Sequence, residues 1–272
     1  MIPNTSFLSL FSEQWDTMTD QPSKNTIQSV ERTFEMLETM RDRGPVGVTE
    51  VAEQLDVSKS TVHNHLNTME ARGYVVNDGG LYRLGLRLLS FPNTLQKSHW
   101  LYQTAKDEVD ELVERTGERS QVLVEEDGHG VYIYQQTDDR AITTNSKVGT
   151  RVALHSSAIG KAMLAFQPEE AVERILHRDG LPARTENTIT SREAFEAELE
   201  EIRDAGVAFD DEEGIEGMRC VAAPIRNDDS VSVGAISVSG PCTRIMGERF
   251  ESTLPREVER AAQAIEIKYR YS

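Results

Sequence analysis

The chain has 272 residues, which is enough for two domains with separate hydrophobic cores. Its 29 Lys and Arg against 46 Asp and Glu give a formal net charge of −17, and its two cysteines, Cys220 and Cys242, form no C-x-x-C motif. This composition excludes a disulfide framework, a zinc finger and, since no apolar stretch is long enough, a membrane-spanning segment. Residues 1–22 lack the features of a signal peptide, so we expect a disordered N-terminal lead on a cytoplasmic protein.

The acidic residues are unevenly distributed along the chain. Residues 23–90 have 8 Lys and Arg against 9 Asp and Glu, whereas residues 91–272 have 21 against 34. The first part is therefore nearly neutral, as a surface that approaches an anionic partner requires. Arginine (22) outnumbers lysine (7), and carboxylates dominate the remainder, a pattern typical of halophilic organisms, including halophilic archaea, where salt screens self-repulsion.

The first predicted helices form a small helical core. In the first predicted helix, apolar residues recur at spacings of three and four, at Ile27, Val30, Phe34 and Leu37. This pattern predicts a helix with one buried face. Thr49 is predicted to cap a second helix, and Ser58 a third one after a tight turn, because a hydroxyl can accept a free backbone N–H. In the third helix, Val62, Leu66 and Met69 form one apolar stripe, and Gly73 ends it.

The opposite face of the third helix has short polar and basic side chains suited to contacting base edges and phosphates. The residues predicted to bind DNA there are Ser58, Lys59, Ser60, Thr61, His63, Asn64, His65 and Asn67. Two strands around Asn77–Gly80 form a predicted hairpin, on which Arg83 could contact a phosphate. Helix, turn, helix and hairpin together predict a winged helix-turn-helix over residues 23–87, which places one helix in the major groove of double-stranded DNA.

A helix with an apolar stripe follows over residues 88–117. Its apolar stripe consists of Trp100/Leu101, Ala105, Val109 and Leu112. The stripe predicts either a linker helix that also packs against a partner subunit or an amphipathic helix of the second domain. Residues 118–272 then predict an α+β domain with a GAF-like mixed sheet. Its strands are predicted at 121–126, 131–136, 141–145, 151–154, 207–209, 219–225 and 231–239, with helices from Ser156, from a capping box at Thr190–Glu193, and from Leu254.

Several segments resemble one known family, the isocitrate lyase regulator (IclR) family of transcription regulators. The matching segments are SKSTVHNHL, YRLGLRLL, GTRVALHSSAIGKAMLA, DDEEGIEGMRCVAAPI and GAISVSGPCTR, and the resemblance covers residues 24–270. It implies a homodimer or a dimer of dimers that binds an operator. It also implies an effector site in the second domain, at positions occupied here by Ala158, Ile159, Gly160, Asp210, Cys220, Ser237 and Ser239.

The residue types at these positions favour a small organic acid or sugar acid as effector, with a bulky aromatic acid as the competing choice. A helix that begins near Ser157 offers free N–H groups to an anion. Ser237 and Ser239 lie on one face of a strand, and Asp210 could accept hydrogen bonds from ligand hydroxyls. Met218 and Leu154 could supply an apolar wall. Alternatively, Cys220 is a buried core residue, and the two serines line a solvent-facing strand edge.

Enzymatic and metal-dependent functions receive little support from the sequence. The nucleotide-binding pattern G-x-x-x-x-G-K-[ST] fails at His155 and Ala162. Cys220, His155 and Asp210 could form a zinc site or a Cys–His nucleophile pair, but their spacing matches neither motif. We therefore predict a ligand-responsive transcription regulator of organic acid or sugar catabolism, without catalytic residues or cofactor. The alternatives are a regulator controlled by redox at Cys220 or by protein contacts, and an enzyme with a fused helix-turn-helix domain.

Overall fold

The computed structural model describes residues 25–138 and 146–271, which divide into two compact units between Ser98 and His99. The predicted lead (1–22) and the predicted strand at 141–145 lie outside the described residues. No described helix is both long enough and apolar enough to cross a membrane.

The first unit contains three helices, a three-stranded sheet and a short helical extension. The elements are α1 (Gln28–Arg43), β1 (Val46–Gly47), α2 (Val48–Gln54), α3 (Lys59–Ala71), β2 (Val75–Asp78), β3 (Leu81–Leu84), a 3₁₀ helix (Leu86–Leu89) and α4 (Ser90–Ser98). The sheet order is β1-β3-β2, with antiparallel pairings, and Gly79 and Gly80 form the turn of the hairpin with φ of 63° and 95°. The winged helix-turn-helix architecture predicted from the sequence is confirmed.

The apolar stripe of α3 is buried as predicted, but that of α1 is not. Val62, Leu66 and Met69 lie in a core that also contains Met36 and Met40 from α1. Of the predicted stripe, Leu37 is half-buried and packs against this core, whereas Ile27, Val30 and Phe34 are exposed by 67%, 46% and 60%. The prediction was wrong because spacings of three and four also fit a second apolar stripe of the same helix, and packing buried the face with the methionines.

The termini of the helices follow the predicted chemistry at α3 but not at α2. Ser58 Oγ accepts the Thr61 N–H at 3.1 Å, which confirms the cap. After α3, the Gly73 and Tyr74 N–H groups donate to the carbonyls of Glu70 and Met69, a glycine-dependent helix stop. The residue before α2 is Gly47, and it makes no side-chain cap, so the prediction of Thr49 as N-cap was wrong.

The predicted linker segment divides into separate helices. The 3₁₀ helix and α4 belong to the first unit, and α5 (Trp100–Thr116) belongs to the second. The stripe residues Leu101, Ala105 and Val109 are fully buried inside the second unit. These residues therefore belong to the core of the second unit, as the amphipathic-helix interpretation of this stripe expects.

The second unit is a six-stranded sheet with helices on both faces. Its further elements are β4 (Arg119–Glu126), β5 (His129–Gln136), β6 (Arg151–Val152), α6 (Ala158–Ala165), α7 (Glu169–Asp179), α8 (Arg192–Ala205), β7 (Ala208–Asp211), β8 (Met218–Arg226), β9 (Ser232–Pro241), a π-helical turn (Arg249–Thr253) and α9 (Leu254–Arg270). The sheet order is β6-β5-β4-β9-β8-β7, and every described pairing is antiparallel. The α+β class is confirmed.

Each face of this sheet has its own hydrophobic core. The inward residues of β9 on one face, Ile236 and Val238, pack with α5 and α9. On the other face, Cys220 and Ala222 of β8 pack with α6 and α8. The polar residues that concern function lie on this second face.

Two details of the second unit differ from the sequence analysis. The N-cap of α8 is Ser191, whose Oγ accepts the Ala194 N–H at 3.1 Å, so the cap lies one residue later than the predicted capping box at Thr190. Helix α7 was not predicted, although Val172, Ile175 and Leu176 form its buried face.

Candidate DNA-binding surface and effector pocket

The polar face of α3 is accessible over most of its length. Of the residues predicted to bind DNA there, Ser58, Lys59, Ser60, His63, Asn64 and Asn67 are exposed, while Thr61 and His65 are half-buried. Ser58 Oγ lies 2.8 Å from both Ser60 Oγ and Thr61 Oγ1, which orders the hydroxyls at the start of the helix. The helix N-terminus thus presents a cluster of hydroxyls beside the ammonium of Lys59, as phosphate contact requires.

The two histidines of α3 differ in their surroundings. His63 Nδ1 lies 2.9 Å from Asn67 Nδ2 on the exposed face. His65 Nδ1 lies 2.8 Å from Thr33 Oγ1 of α1, so this ring joins two helices of the unit. The assignment of His63 to the DNA-binding face therefore has more structural support than that of His65.

The hairpin presents Arg83 to solvent, as a phosphate contact would require. A second arginine, Arg87, follows the hairpin, and the sequence did not predict its contacts. Arg87 Nη1 donates to the Arg72 carbonyl at 3.0 Å, and its guanidinium lies 5.2 Å from the centre of the Tyr74 ring. Arg87 therefore fixes the end of α3 against the segment that follows the hairpin.

In the second unit, strand register places the predicted effector residues in rows across the sheet. Asp210 pairs with Cys220, Cys220 with Ser239, and Ser239 with Arg119, so four neighbouring strands contribute one polar row. The next row on the same face is Ala208, Ala222, Ser237 and Gln121. Arg119 and Gln121 were not predicted from the sequence, because only the β4–β9 pairing brings them beside the serines.

Helix α6 begins directly over this polar face. Ser157 caps it, and Ser157 Oγ accepts the Gly160 N–H at 3.3 Å. A Cβ on Gly160 would lie 2.2 Å from the Leu154 carbonyl oxygen, so only glycine allows this approach. The close contact packs the start of α6 against the segment that follows β6.

A pocket with an empty volume of about 600 Å³, open in part to solvent, lies between the sheet and α6. Its lining includes four predicted effector residues, which are Ile159, Asp210, Cys220 and Ser239, and the predicted apolar wall residue Met218. Ser157, at the predicted helix start, also lines the pocket. Lining residues that were not predicted from the sequence are Gln121, Tyr132, Ser146, Val152, Ala153, Ser156, Gly214, Ile215 and Arg219. Their strand and loop positions could not be aligned without the tertiary structure.

Other predicted residues lie behind the lining rather than in it. Ala158 and Leu154 are buried in the core, and Gly160 contacts the backbone of Leu154. Leu154 is thus not a pocket wall. Ser237 is only 1% exposed on a central strand, so the interpretation of the serines as a solvent-facing edge is wrong for Ser237.

Asp210 is a buried carboxylate at the lining of the pocket. It is 7% exposed, and its Oδ1 accepts the backbone N–H groups of Glu213 at 2.7 Å and Gly214 at 3.3 Å. Burial, and next the charge of Glu213, raise the pKa of Asp210 to about 7, although these N–H groups and Lys161 act in the opposite direction. Near neutral pH this residue can therefore either donate or accept a hydrogen bond.

Two weakly acidic side chains of the pocket besides Asp210, Cys220 and Tyr132, are held in their neutral forms. Burial, reinforced by the charge of Asp210, raises the pKa of the Cys220 thiol, while Ser237 and the Ile159 N–H oppose the shift. Burial also raises the pKa of Tyr132. The pocket therefore offers a thiol and a phenol rather than two anions.

A metal site is not evident in the part of the chain that the structure describes. Residues 25–138 and 146–271 contain no group of three His, Cys, Asp or Glu side chains placed to hold a metal ion. His155 was a candidate zinc ligand together with Cys220 and Asp210, but its Nε2 lies 3.0 Å from the Pro182 carbonyl oxygen. The zinc alternative therefore has no support from the arrangement of these side chains.

Comparison with known proteins agrees with both units. The IclR helix-turn-helix domain matches residues 29–79, and the bacterial transcriptional regulator IclR C-terminal domain matches residues 94–267. The chain belongs to the IclR family of transcription regulators.

Individual relatives match the chain over nearly its full length. The "Probable HTH-type transcriptional regulator ArcR" of Halobacterium salinarum is 32% identical over 89% of this chain and 94% of its own. The acetate operon repressor of Salmonella typhimurium is 32% identical over 92% of this chain and 93% of its own. The structure of an IclR homologue from Microbacterium hydrocarbonoxydans complexed with 4-hydroxybenzoate superposes with a TM-score of 0.76 and 25% identity, covering 90% of this chain and all of the homologue. The curated relatives are transcription regulators, which agrees with the expectation that this chain is not an enzyme.

Proposed function

We propose that this protein is a transcription regulator whose first unit binds an operator and whose second unit binds a small organic acid that changes operator affinity. The observation that carries the proposal is the combination of an exposed, hydroxyl-rich recognition helix with a separate buried polar pocket. A ligand can control DNA binding only if it binds the two arrangements of the protein with different affinities.

In the proposed DNA complex, α3 enters the major groove and the hairpin contacts the flanking backbone. The candidate contacts are Ser58, Lys59, Ser60, Thr61, His63, Asn64, His65, Asn67 and Arg83. Lys59 contributes a phosphate contact, whereas Asn64 and Asn67 are suited to bidentate recognition of adenine. Because a salt-rich cytoplasm weakens counterion-driven binding, base contacts should carry a larger share of the affinity.

Selection of binding sites from random double-stranded DNA tests this role. We expect a pseudo-palindromic site, and a loss of roughly tenfold in affinity, with a salt slope lower by about 1, for Lys59→Gln. Lys106→Gln removes the same charge from an exposed site on α5 and serves as the control. Absence of any preferred sequence at low and high KCl would refute the DNA-binding proposal.

We propose that the protein acts as a homodimer or a dimer of dimers, and that a second copy covers the exposed stripe of α1. Ile27, Val30 and Phe34 present three large apolar side chains on one helix, which suits a partner of the same chain. Phe34→Glu should convert dimers to monomers by light scattering and weaken operator binding, while the circular dichroism spectrum stays that of the wild type. A dimeric Phe34→Glu variant would exclude this stripe as the interface.

The proposed effector site is the pocket under α6, with Ile159, Asp210, Cys220 and Ser239 in contact with the ligand. Ala158, Gly160 and Ser237 support it from behind. The bound 4-hydroxybenzoate of the Microbacterium homologue supports a carboxylic acid as ligand. The polar row and the N-terminus of α6 favour a compact, hydroxylated acid over a bulky aromatic one.

A panel of acetate, gluconate and 4-hydroxybenzoate distinguishes these ligand classes. We expect gluconate or acetate to raise the melting temperature and shift operator affinity, and Ser239→Ala to reduce both effects. Ser29→Ala changes an exposed serine on α1, in the first unit, and provides the control. Stabilisation by 4-hydroxybenzoate alone would instead identify an aromatic-acid sensor.

The alternative of redox control at Cys220 is less well supported. Its buried thiol has a raised pKa, whereas reactive cysteines are exposed and have a lowered one. Oxidation-dependent loss of operator binding in the wild type, absent from Cys220→Ser, would favour it. An enzyme is the third alternative, and turnover of any acid in the panel would support it.

The biological setting follows from the relatives and the composition. The acetate operon repressor supports a role in carbon catabolism, and the Halobacterium relative and the net charge of −17 support an organism with a salt-rich cytoplasm. We expect operator binding and folding to persist in molar KCl. Whether the output is repression or activation depends on operator position and is measured with a promoter–reporter fusion.

A further inference from the structure

The effector pocket borders an unusual group of buried charges. Lys161, on α6, is only 1% exposed. Its Nζ lies 2.7 Å from Glu198 Oε1 and 2.6 Å from Glu213 Oε1. Asp210 adds a third carboxyl group beside Glu213, since its Oδ1 accepts the Glu213 backbone N–H. Two carboxylates therefore share one ammonium, and a third carboxyl group lies beside them in a largely desolvated region.

Such a group cannot keep all its carboxylates ionised without a large desolvation cost. Lys161 is paired with both Glu213 and Glu198, whereas within residues 25–138 and 146–271 neither a hydrogen bond nor an ion pair joins it to Asp210. Glu213 Oε2 is buried and has no hydrogen-bond partner among the residues that the structure describes. The remaining negative charge is therefore relieved most simply by a proton.

The geometry of Asp210 identifies where that proton would lie. Oδ1 is occupied by two backbone N–H donors, and within 25–138 and 146–271 no hydrogen bond to Oδ2 is found. Because Asp210 also lines the pocket, Oδ2 is the oxygen left for a ligand. A proton on Oδ2 can be donated to a ligand oxygen without disturbing the bonds that Oδ1 accepts.

The groups around Asp210 come from every element packed against it. From its own loop it faces Glu213, and from α6 the ammonium of Lys161, which is also paired to Glu198 of α8. From β8 it faces the neutral thiol of Cys220, and from β5 the neutral phenol of Tyr132. Arg119 of β4 lies next to Tyr132 and Cys220. Arg219 of β8, which is paired with Asp211, also lines the pocket.

We propose that Asp210 binds the effector as a neutral carboxylic acid, so that the pocket takes up as much as one proton when it binds a carboxylate at neutral or higher pH. This inference rests on the proposed acid-sensing function. It adds that binding of the acid is coupled to uptake of a proton and that the ligand binds as an anion. The proton comes from solvent and forms a bond to Asp210 Oδ2, the ligand remains an anion, and the Oδ2–H group donates a hydrogen bond to a ligand oxygen. Lys161 acts as a positioning residue. Its ammonium holds the Glu213 side chain, and the Glu213 backbone N–H in turn holds Asp210 Oδ1.

The direct test is titration calorimetry of the full-length protein with acetate, gluconate and 4-hydroxybenzoate from pH 6 to 8.5. All three carboxylic acids are ionised throughout this range, so their own carboxyl groups do not titrate. We expect the dissociation constant of the acid that binds to increase by up to tenfold per pH unit above about pH 7. Repetition in two buffers of different ionisation enthalpy should show net proton uptake at pH 7.5 and above. A constant affinity with no proton uptake would overturn the inference.

Two neighbouring substitutions sharpen the test. Asp210→Asn places an N–H donor where the proposed O–H group lies, so its dissociation constant should no longer vary with pH. Asp211→Asn is the matched control, because Asp211 is an exposed neighbour on β7 paired with Arg219, and it should retain the pH dependence of the wild type. Equal pH dependence in wild type and Asp210→Asn would assign the proton to another group and refute the proposal.

A measurement without ligand separates this inference from the sensing function. A raised carboxyl pKa means that the folded state holds a proton that the unfolded state has released. The free energy of unfolding of the wild type, measured relative to that of Asp210→Asn, should therefore fall as the pH rises from about 4 to about 7. If no acid binds at pH 6, the sensing function fails; if an acid binds but this stability difference is independent of pH, only the proton linkage fails.

Discussion

The two units place their polar groups in opposite ways. The core of the first unit is built from apolar residues such as Val62, Leu66 and Met69, while its polar α3 residues are mostly exposed. The second unit instead buries Lys161, Asp210 and Arg119 beside its pocket. DNA is a large partner that must be reached from solvent, whereas a small acid is bound by groups already removed from water.

This difference predicts different costs for equivalent substitutions. In the first unit, changing a polar side chain should alter function with little effect on stability. In the second, the same change should alter both, because a buried charge left without its partner is strongly unfavourable. Matched substitutions in the two units therefore test the comparison.

The largest effect is expected for the two lysines. Lys161→Met leaves Glu213 and Glu198 without their shared ammonium and should lower the free energy of unfolding by about 3–5 kcal/mol. Lys59→Met, on the exposed surface, should change it by less than about 0.5 kcal/mol. Urea denaturation monitored by circular dichroism measures both values. Partial recovery in Lys161→Met/Glu213→Gln would confirm that the uncompensated carboxylate causes the loss, and a stable single variant would contradict it.

A cavity in the first unit should have the next largest effect. Leu66 is fully buried, so Leu66→Ala should cost about 2–5 kcal/mol and abolish operator binding through unfolding of this unit. Leu86→Ala removes the same atoms from a side chain that is 77% exposed and serves as the control. Scanning calorimetry of both variants provides the measurement, and equal melting temperatures would show that burial does not determine the cost.

Two glycines should differ because one is limited by packing and the other only by backbone conformation. Gly160→Ala forces a methyl group against the Leu154 carbonyl and should cost about 1–3 kcal/mol or more, with weaker acid binding. Gly79→Ala has nothing within 4 Å and pays only for its φ of 63°, about 1 kcal/mol. Thermal unfolding compares them; a larger loss for Gly79→Ala would place the strain in the hairpin instead.

The smallest effect is expected at the helix cap. Ser58→Ala removes the acceptor for the Thr61 N–H and should lower the free energy of unfolding by about 0.5–2 kcal/mol. Ser60→Ala removes only the contact between the Ser60 and Ser58 hydroxyls and leaves the Thr61 N–H acceptor in place, so it should have a smaller effect on the same denaturation curve. Indistinguishable curves for the two variants would show that water replaces the cap.

The sequence was most informative where the relevant interactions are local. The Ser58 cap, the stop at Gly73 and the hairpin at Gly79–Gly80 each depend on a few neighbouring residues, so they were predicted from spacing and residue type. Local patterns were insufficient for α1, where spacings of three and four suggested the wrong face, and for the cap of α8, where Thr190 and Ser191 are chemically equivalent.

The pocket shows the same limit at longer range. Asp210, Cys220 and Ser239 were predicted from family resemblance, but Arg119, Gln121 and Tyr132 were not. Strand order β4-β9-β8-β7 joins segments more than 100 residues apart, and no local pattern encodes that order. In the sequence, Lys161 stands out only as the lysine of the rejected nucleotide-binding pattern, whereas in the structure its ammonium is paired with Glu198 and Glu213.

The sequence by itself determined the winged helix-turn-helix, the α+β class of the second unit and the family, because these depend on periodicity, turns and contiguous motifs. Only the tertiary structure decided that α5 belongs to the core of the second unit and that Asp210 shares its buried surroundings with Lys161 and Glu213. The physical reason is desolvation. Burial, which the neighbouring elements impose, determines whether a carboxyl group is an anion or a proton carrier, and a linear sequence does not specify those neighbours.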